Sequence, residues 1–115
     1  MSLRALGVCI ATLLTPRLAG ADIVIVPAIE DNTMYAESGS LSNGAGDHLF
    51  AGANGNGDAR RGLIKFDVAS AIPPGSTVNV ATLRLYMSRS AAGTVQVNLH
   101  GVLAPWGEGS SNAPG

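Results

Sequence analysis

Apolar and polar residues alternate along most of this chain with a period of two, the signature of half-buried strands. Ile23 to Ile29 (IVIVPAI) is β-branched and apolar and reads as a strand, with Pro27 bending it or placing it at an edge. Thr33 to Glu37 continues the extended pattern. Met34 and Ala36 share one face, and Thr33, Tyr35 and Glu37 the other, which leaves Tyr35 half exposed on the sheet surface. His48 to Ala53 is a short strand centred on Leu49 and Phe50. The turn Asn54-Gly55-Asn56-Gly57-Asp58 then connects a hairpin. Arg61 to Asp67 alternates so that Ile64 and Phe66 point inward, with Arg61, Leu63 and Lys65 on the opposite face.

Ser70 to Gly75 predicts a turn. Thr77 to Ser88 is the longest predicted strand: Val78 and Val80 alternate, then Leu83, Leu85 and Met87 continue in the opposite phase. That switch at Ala81-Thr82 predicts a β-bulge. Thr94 to Val102 alternates cleanly, with Val95, Val97 and Leu99 inward. From Ala104 onward Pro, Gly, Ser, Asn and Trp106 carry no strand pattern. About six short strands and no amphipathic helix predict an all-β chain, an antiparallel β-sandwich of jelly-roll type. A sandwich of that type usually has about eight strands. The expectation is therefore a module over 22–115 that is truncated at its C-terminus, with further domains of the same longer protein to follow.

The N-terminal apolar run belongs to a different pattern. Met1 to Arg4 is a short basic start, Ala5 to Leu14 is apolar, Thr15-Pro16 breaks a helix, and Ala19-Gly20-Ala21 supplies small residues. This is the three-part layout of a cleavable signal peptide over 1–21. It predicts export to the extracellular space or cell surface, and its apolar run is too short to span a bilayer. Removing it takes away Arg4 and Arg17. The seven basic residues become five against eight acidic ones, a net charge of −3. Cys9, the only cysteine, leaves as well, so the exported part has no disulfide and depends on its core or on bound metal. With an acidic balance there is no electrostatic case for nucleic acid.

Candidate chemistry is sparse. His48 and His100 are the only histidines, and no H-E-x-x-H or G-x-S-x-G motif is present. No two carboxylates are marked out as an acid–base pair, so the sequence points to a binding module and not to an enzyme. Arg61 and Lys65, with Arg84 from another strand, form a basic group suited to the carboxylates of an acidic polysaccharide, because the guanidinium fork matches a carboxylate. Tyr86 and Trp106 offer aromatic faces for stacking on sugar rings. The plainer reading of the cations is pairing with Asp58 and Asp67; that of Trp106 is a lid on the core. Calcium is the candidate metal, since it takes six to eight oxygens. Asp47, Asn54, Asn56 and Asp58 are its first candidate ligands, with Asp31, Asn32 and Glu37 as a second group. Beyond such a structural calcium, no cofactor is indicated.

Six segments occur in a suggestive order: Asp31-Asn32-Thr33-Met34-Tyr35, His48-Leu49-Phe50-Ala51-Gly52, Arg61-Gly62-Leu63-Ile64-Lys65-Phe66-Asp67, Ile72-Pro73-Pro74-Gly75-Ser76-Thr77-Val78, Ala81-Thr82-Leu83-Arg84-Leu85-Tyr86 and Trp106-Gly107-Glu108-Gly109. In this combination the chain resembles a DNRLRE-type domain, related to the disaggregatase family and overlapping a family of carbohydrate-binding modules. The resemblance covers Asp31 to Gly115. It implies a β-sandwich in an exported protein, often beside polysaccharide lyases, hydrolases or cell-surface domains. Some relatives bind acidic polysaccharide. The non-binding alternative is a structural or adhesive spacer in a larger surface protein.

Overall fold

The computed structural model describes residues 20–114, so nearly all of the expected signal peptide, 1–21, lies outside the described residues. Three strands form one open antiparallel sheet: β1 (Ala28–Tyr35), β2 (Gly52–Ala53) and β3 (Ala59–Phe66), in the order β1-β3-β2. The all-β expectation holds at this level. Among the described residues there is one short helix, α1 (Val68–Ala71), and no helix long and apolar enough to cross a membrane.

The two strands expected over 23–29 and 33–37 are one. Pro27 brings no N–H to a ladder and stands immediately before β1, while Ile23 and Ile25 lie exposed outside it. β1 pairs with β3 from Tyr35 opposite Arg60 to Ala28 opposite Phe66, and the register shifts between Ala28 and Glu30. That irregularity stands where the bulge expected at Ala81-Thr82 does not, since the latter residues belong to no ladder.

The hairpin turn is where the sequence places it. Asn54 N donates to the Asp58 carbonyl at 3.0 Å, and Gly57 N donates to the Asn54 carbonyl at 3.0 Å. Gly57 sits at φ 91°, a backbone conformation that favours glycine. The strand before the turn is shorter than expected, because side chains have taken its backbone groups. Phe50 N donates to Thr33 Oγ1 at 2.9 Å, and the His48 carbonyl accepts from Asn43 Nδ2 at 2.5 Å. Only Gly52 and Ala53 remain to pair with Arg60 and Ala59.

Where a turn was expected, α1 makes a single helical turn. Asp67 caps it, its carboxylate accepting from Ser70 N at 3.1 Å. The chain then passes Pro73-Pro74-Gly75, closed by Ser76 N donating to the Pro73 carbonyl at 3.2 Å.

The largest departure concerns residues 77–103. The strands expected over 77–88 and 94–102 have the right alternation but no pairing neighbour among the described residues, and a strand exists only where a second one accepts its hydrogen bonds. Val80, Leu85, Met87, Val97, Leu99 and Leu103 are all more than 60% exposed. The chain returns to the body at residues 107–113. There Ala45 N donates to the Ser111 carbonyl at 2.9 Å and Ala113 N to the Ser42 carbonyl at 3.1 Å.

Candidate functional site

The body is held by a buried polar cluster on β1. Asn32 is its centre. Its Oδ1 accepts from Thr33 N at 2.7 Å and from Asn43 N at 2.8 Å. Its Nδ2 donates to the Glu108 carbonyl at 2.7 Å and the Gly107 carbonyl at 3.4 Å. The Glu108 carboxylate in turn accepts from Asp31 N at 3.3 Å. One asparagine thus ties β1, the loop at Asn43 and the segment after Trp106 together. Backbones come close here: a Cβ on Gly44 would run into the Glu108 carbonyl, and the Ser42 and Ser111 hydroxyls share a hydrogen bond. Asp31-Asn32-Thr33 and Trp106-Gly107-Glu108-Gly109, read separately in the sequence, are therefore partners in space. From sequence, Asn32 is a calcium candidate and one residue of the Asp31–Tyr35 segment, and Glu108 carries no chemistry of its own. A short amide in mid-strand was the available signal, since Asn is poorly suited to a strand unless its side chain bonds backbone.

A second cluster forms around Arg60. Its guanidinium pairs with Glu37 at 2.8 Å and lies 4.7 Å from the centre of the Tyr35 ring and 5.7 Å from that of Phe50. Tyr35 is not half exposed on the sheet surface: only 6% of it is accessible, and its hydroxyl donates to the Ala113 carbonyl at 3.1 Å. The returning C-terminal segment covers it, a long-range contact that strand periodicity cannot reveal. Burial raises the Tyr35 pKa, partly offset by the Arg60 charge. The Glu37 carboxylate is held below its ordinary range, first by its own backbone N–H and then by Arg60.

The opposite side of β3 carries Arg61 and Lys65, two register steps on either side of Leu63. Lys65 pairs with Glu30, directly opposite on β1, at 2.9 Å. Arg61 is exposed, faces Met34 across the ladder and has no ion pair among the described residues. The expected partners Asp58 and Asp67 are engaged elsewhere: Asp58 accepts from Asn54 Nδ2 at 2.9 Å, and Asp67 caps α1. Arg84 and Tyr86 lie in the unpaired segment, Tyr86 93% exposed, and Trp106 is half-buried where the chain returns. The structure thus puts Arg61 and Lys65 on one face and leaves Arg84, Tyr86 and Trp106 outside the sheet.

The expected calcium ligands fall in two places. Asn54 Oδ1 accepts from Asn56 N and Asp58 N, each at 2.9 Å, so this amide closes the hairpin turn. Asp47 shares no hydrogen bond with that turn; it lines a recess of about 210 Å³ with Asn43, His48, Phe50 and Asn112. Of the second group, Asn32 is committed to the β1 cluster and Glu37 to Arg60. No group of three or more His, Cys, Asp or Glu side chains placed to hold a metal occurs among the described residues.

No protein-family model, curated protein or solved structure matches the chain.

Proposed function

We propose that this chain is a secreted, non-catalytic carbohydrate-binding accessory module of the DNRLRE type, with an acidic polysaccharide as its ligand class. The observation that carries this reading is Arg61, an exposed guanidinium on a sheet face with no carboxylate paired to it among the described residues. Lys65 lies on the same face, two residues along, and its salt bridge to Glu30 is exposed enough to exchange for a ligand carboxylate at little cost. Both cations stand on a strand ladder and not on a loop, so their spacing is set by the backbone.

The fold belonging to this reading is a sandwich of jelly-roll type, with residues 77–103 supplying strands of the second layer. Their alternation places Leu83, Leu85 and Met87 on the face turned to the first sheet and Arg84 and Tyr86 on the outer face. Arg61 and Lys65 then grip uronate carboxylates on the outer face of the first sheet, Arg84 and Tyr86 add a second contact on the outer face of the other layer, and Trp106 stacks on sugar rings. Affinity-gel electrophoresis in a uronate polymer tests this. Arg61→Ala and Arg84→Ala are each expected to weaken retention about five- to tenfold, the loss of one charge-assisted hydrogen-bonding partner, with thermal unfolding unchanged. Retention equal to that of the parent chain in both variants would remove the basic face.

The rival reading, a spacer in a larger surface protein, is favoured by a different observation: the uncovered apolar residues of 77–103, which suit protein contact better than sugar contact.

A further inference from the structure

One copy of this chain has almost no hydrophobic core. Tyr35 and Ala113 are its only buried apolar residues among those described. The apolar side chains of β3, Leu63, Ile64 and Phe66, are half-buried at best, and Met34 beside them is 50% exposed. Residues 77–103, meanwhile, carry a ladder's worth of apolar side chains in solvent and make no backbone–backbone hydrogen bond with the described residues. A half-covered sheet and an unpaired, apolar, alternating segment are complementary surfaces. Each lacks what the other offers, and leaving both open forfeits most of the burial a small domain depends on.

Two features bear on whether the segment covers its own sheet. The hinge into it is short and set: Asp67 caps α1, Ile72 N donates to the Val68 carbonyl at 2.9 Å, and Pro73-Pro74 fix φ before the Ser76 turn. The far end is anchored too, by Asn32 holding Gly107 and Glu108. Between these anchors the segment makes no hydrogen bond to the ladder among the described residues. Short, constrained hinges favour exchange of an element between copies over closure within one. Charge is consistent with this pairing. Residues 77–103 contain Arg84 and Arg89 and no carboxylate, whereas residues 22–76 hold seven carboxylates against three cations, a net charge of −4. Two such segments repel one another, which disfavours pairing of segment on segment, while each is attracted to an acidic body.

We propose that the second layer of the sandwich is supplied in trans: residues 77–103 of one copy cover the sheet of a second copy, and the exchange is reciprocal, giving a two-fold dimer. Leu85, Met87, Val97 and Leu99 pack over Ile64 and Phe66 of the other copy, on the face of β3 opposite Arg61 and Lys65, and Arg84 and Tyr86 stay on the outer face. The inference rests on the sandwich assigned under the proposed function, but not on any sugar ligand.

Sedimentation velocity joined to amide hydrogen exchange on the purified chain tests it without a glycan. The expected result is a dimer at micromolar concentration, with residues 77–103 protected only in the dimer. Val97→Asp, which puts a charge into the covered face, is expected to raise the dissociation constant at least about a hundredfold and to release that protection. The milder Arg89→Glu is expected to raise it a few-fold and to lower its salt dependence. A monomer with 77–103 protected would overturn exchange but keep the sandwich, closed in cis. A monomer with 77–103 unprotected would overturn both. A dimer whose 77–103 amides exchange freely, or assembly without a defined stoichiometry, would overturn the proposal as well.

Discussion

Asn32 shows what a single side chain contributes in a domain this small. It is 7% exposed and takes part in four hydrogen bonds that join three stretches of chain. Truncation strands the backbone N–H of Asn43 and the carbonyl of Glu108, and each buried orphan costs about 1–3 kcal/mol. Asn32→Ala is therefore expected to destabilise by about 3 kcal/mol, seen as a lowered urea midpoint with an unchanged slope. Asn32→Asp keeps the acceptor but loses the donor, and its carboxylate faces the Glu108 carbonyl, so it is expected to be no better.

Ionisation at the residue scale predicts an acid response. The Glu37 and Asp67 carboxylates are both held below their ordinary values, Glu37 by its own backbone N–H and by Arg60, Asp67 by hydrogen bonds from Ser70. A folded-state pKa below the unfolded one means stability present above the unfolded value and lost as pH falls through the folded value. Unfolding free energy is thus expected to be flat near neutrality and to fall below the ordinary carboxylate range of about 4. Chemical denaturation at stepped pH measures it. Glu37→Gln is expected to flatten part of that fall.

At the scale of elements, legibility followed how local each signal was. The hairpin at Asn54–Asp58 and strand β3 were readable because turn chemistry and alternation lie within a few residues. Gly57 gives that turn its test. It adopts φ 91° with open space around it, so Gly57→Ala meets no side chain and pays only for backbone conformation. A cost of about 1–2 kcal/mol is expected, with Gly57→Asn costing less, both read from thermal unfolding. Strand β2 was over-read because Thr33 and Asn43 side chains occupy the backbone of Phe50 and His48. Tyr35 was misplaced because Ala113, 78 residues away, covers it. The Asn32–Glu108 join went unseen for the same reason. Residues 77–103 show the limit of periodicity: alternation tells which side chains share a face, and not what stands opposite.

On the scale of the whole molecule, two demands remain on the same chain. The apolar side of 77–103 is uncovered, and on the proposed function the Arg61–Lys65 face of β3 takes an anion. An outer layer whose apolar side turns inward and whose Arg84 and Tyr86 turn outward meets both. The candidate site was partly legible: β3 sets Arg61 and Lys65 together as alternation requires, whereas Arg84, Tyr86 and Trp106 stand outside the sheet, because alternation does not fix what lies opposite. The central claim is the binding of an acidic polysaccharide, and its most direct measurement is retention on a uronate polymer across a salt series, with and without calcium. The account predicts retention that falls steadily as salt screens the Arg61, Lys65 and Arg84 contacts and does not change with calcium. A folded chain that passes through at low salt without retention, or one retained only with calcium, would contradict it.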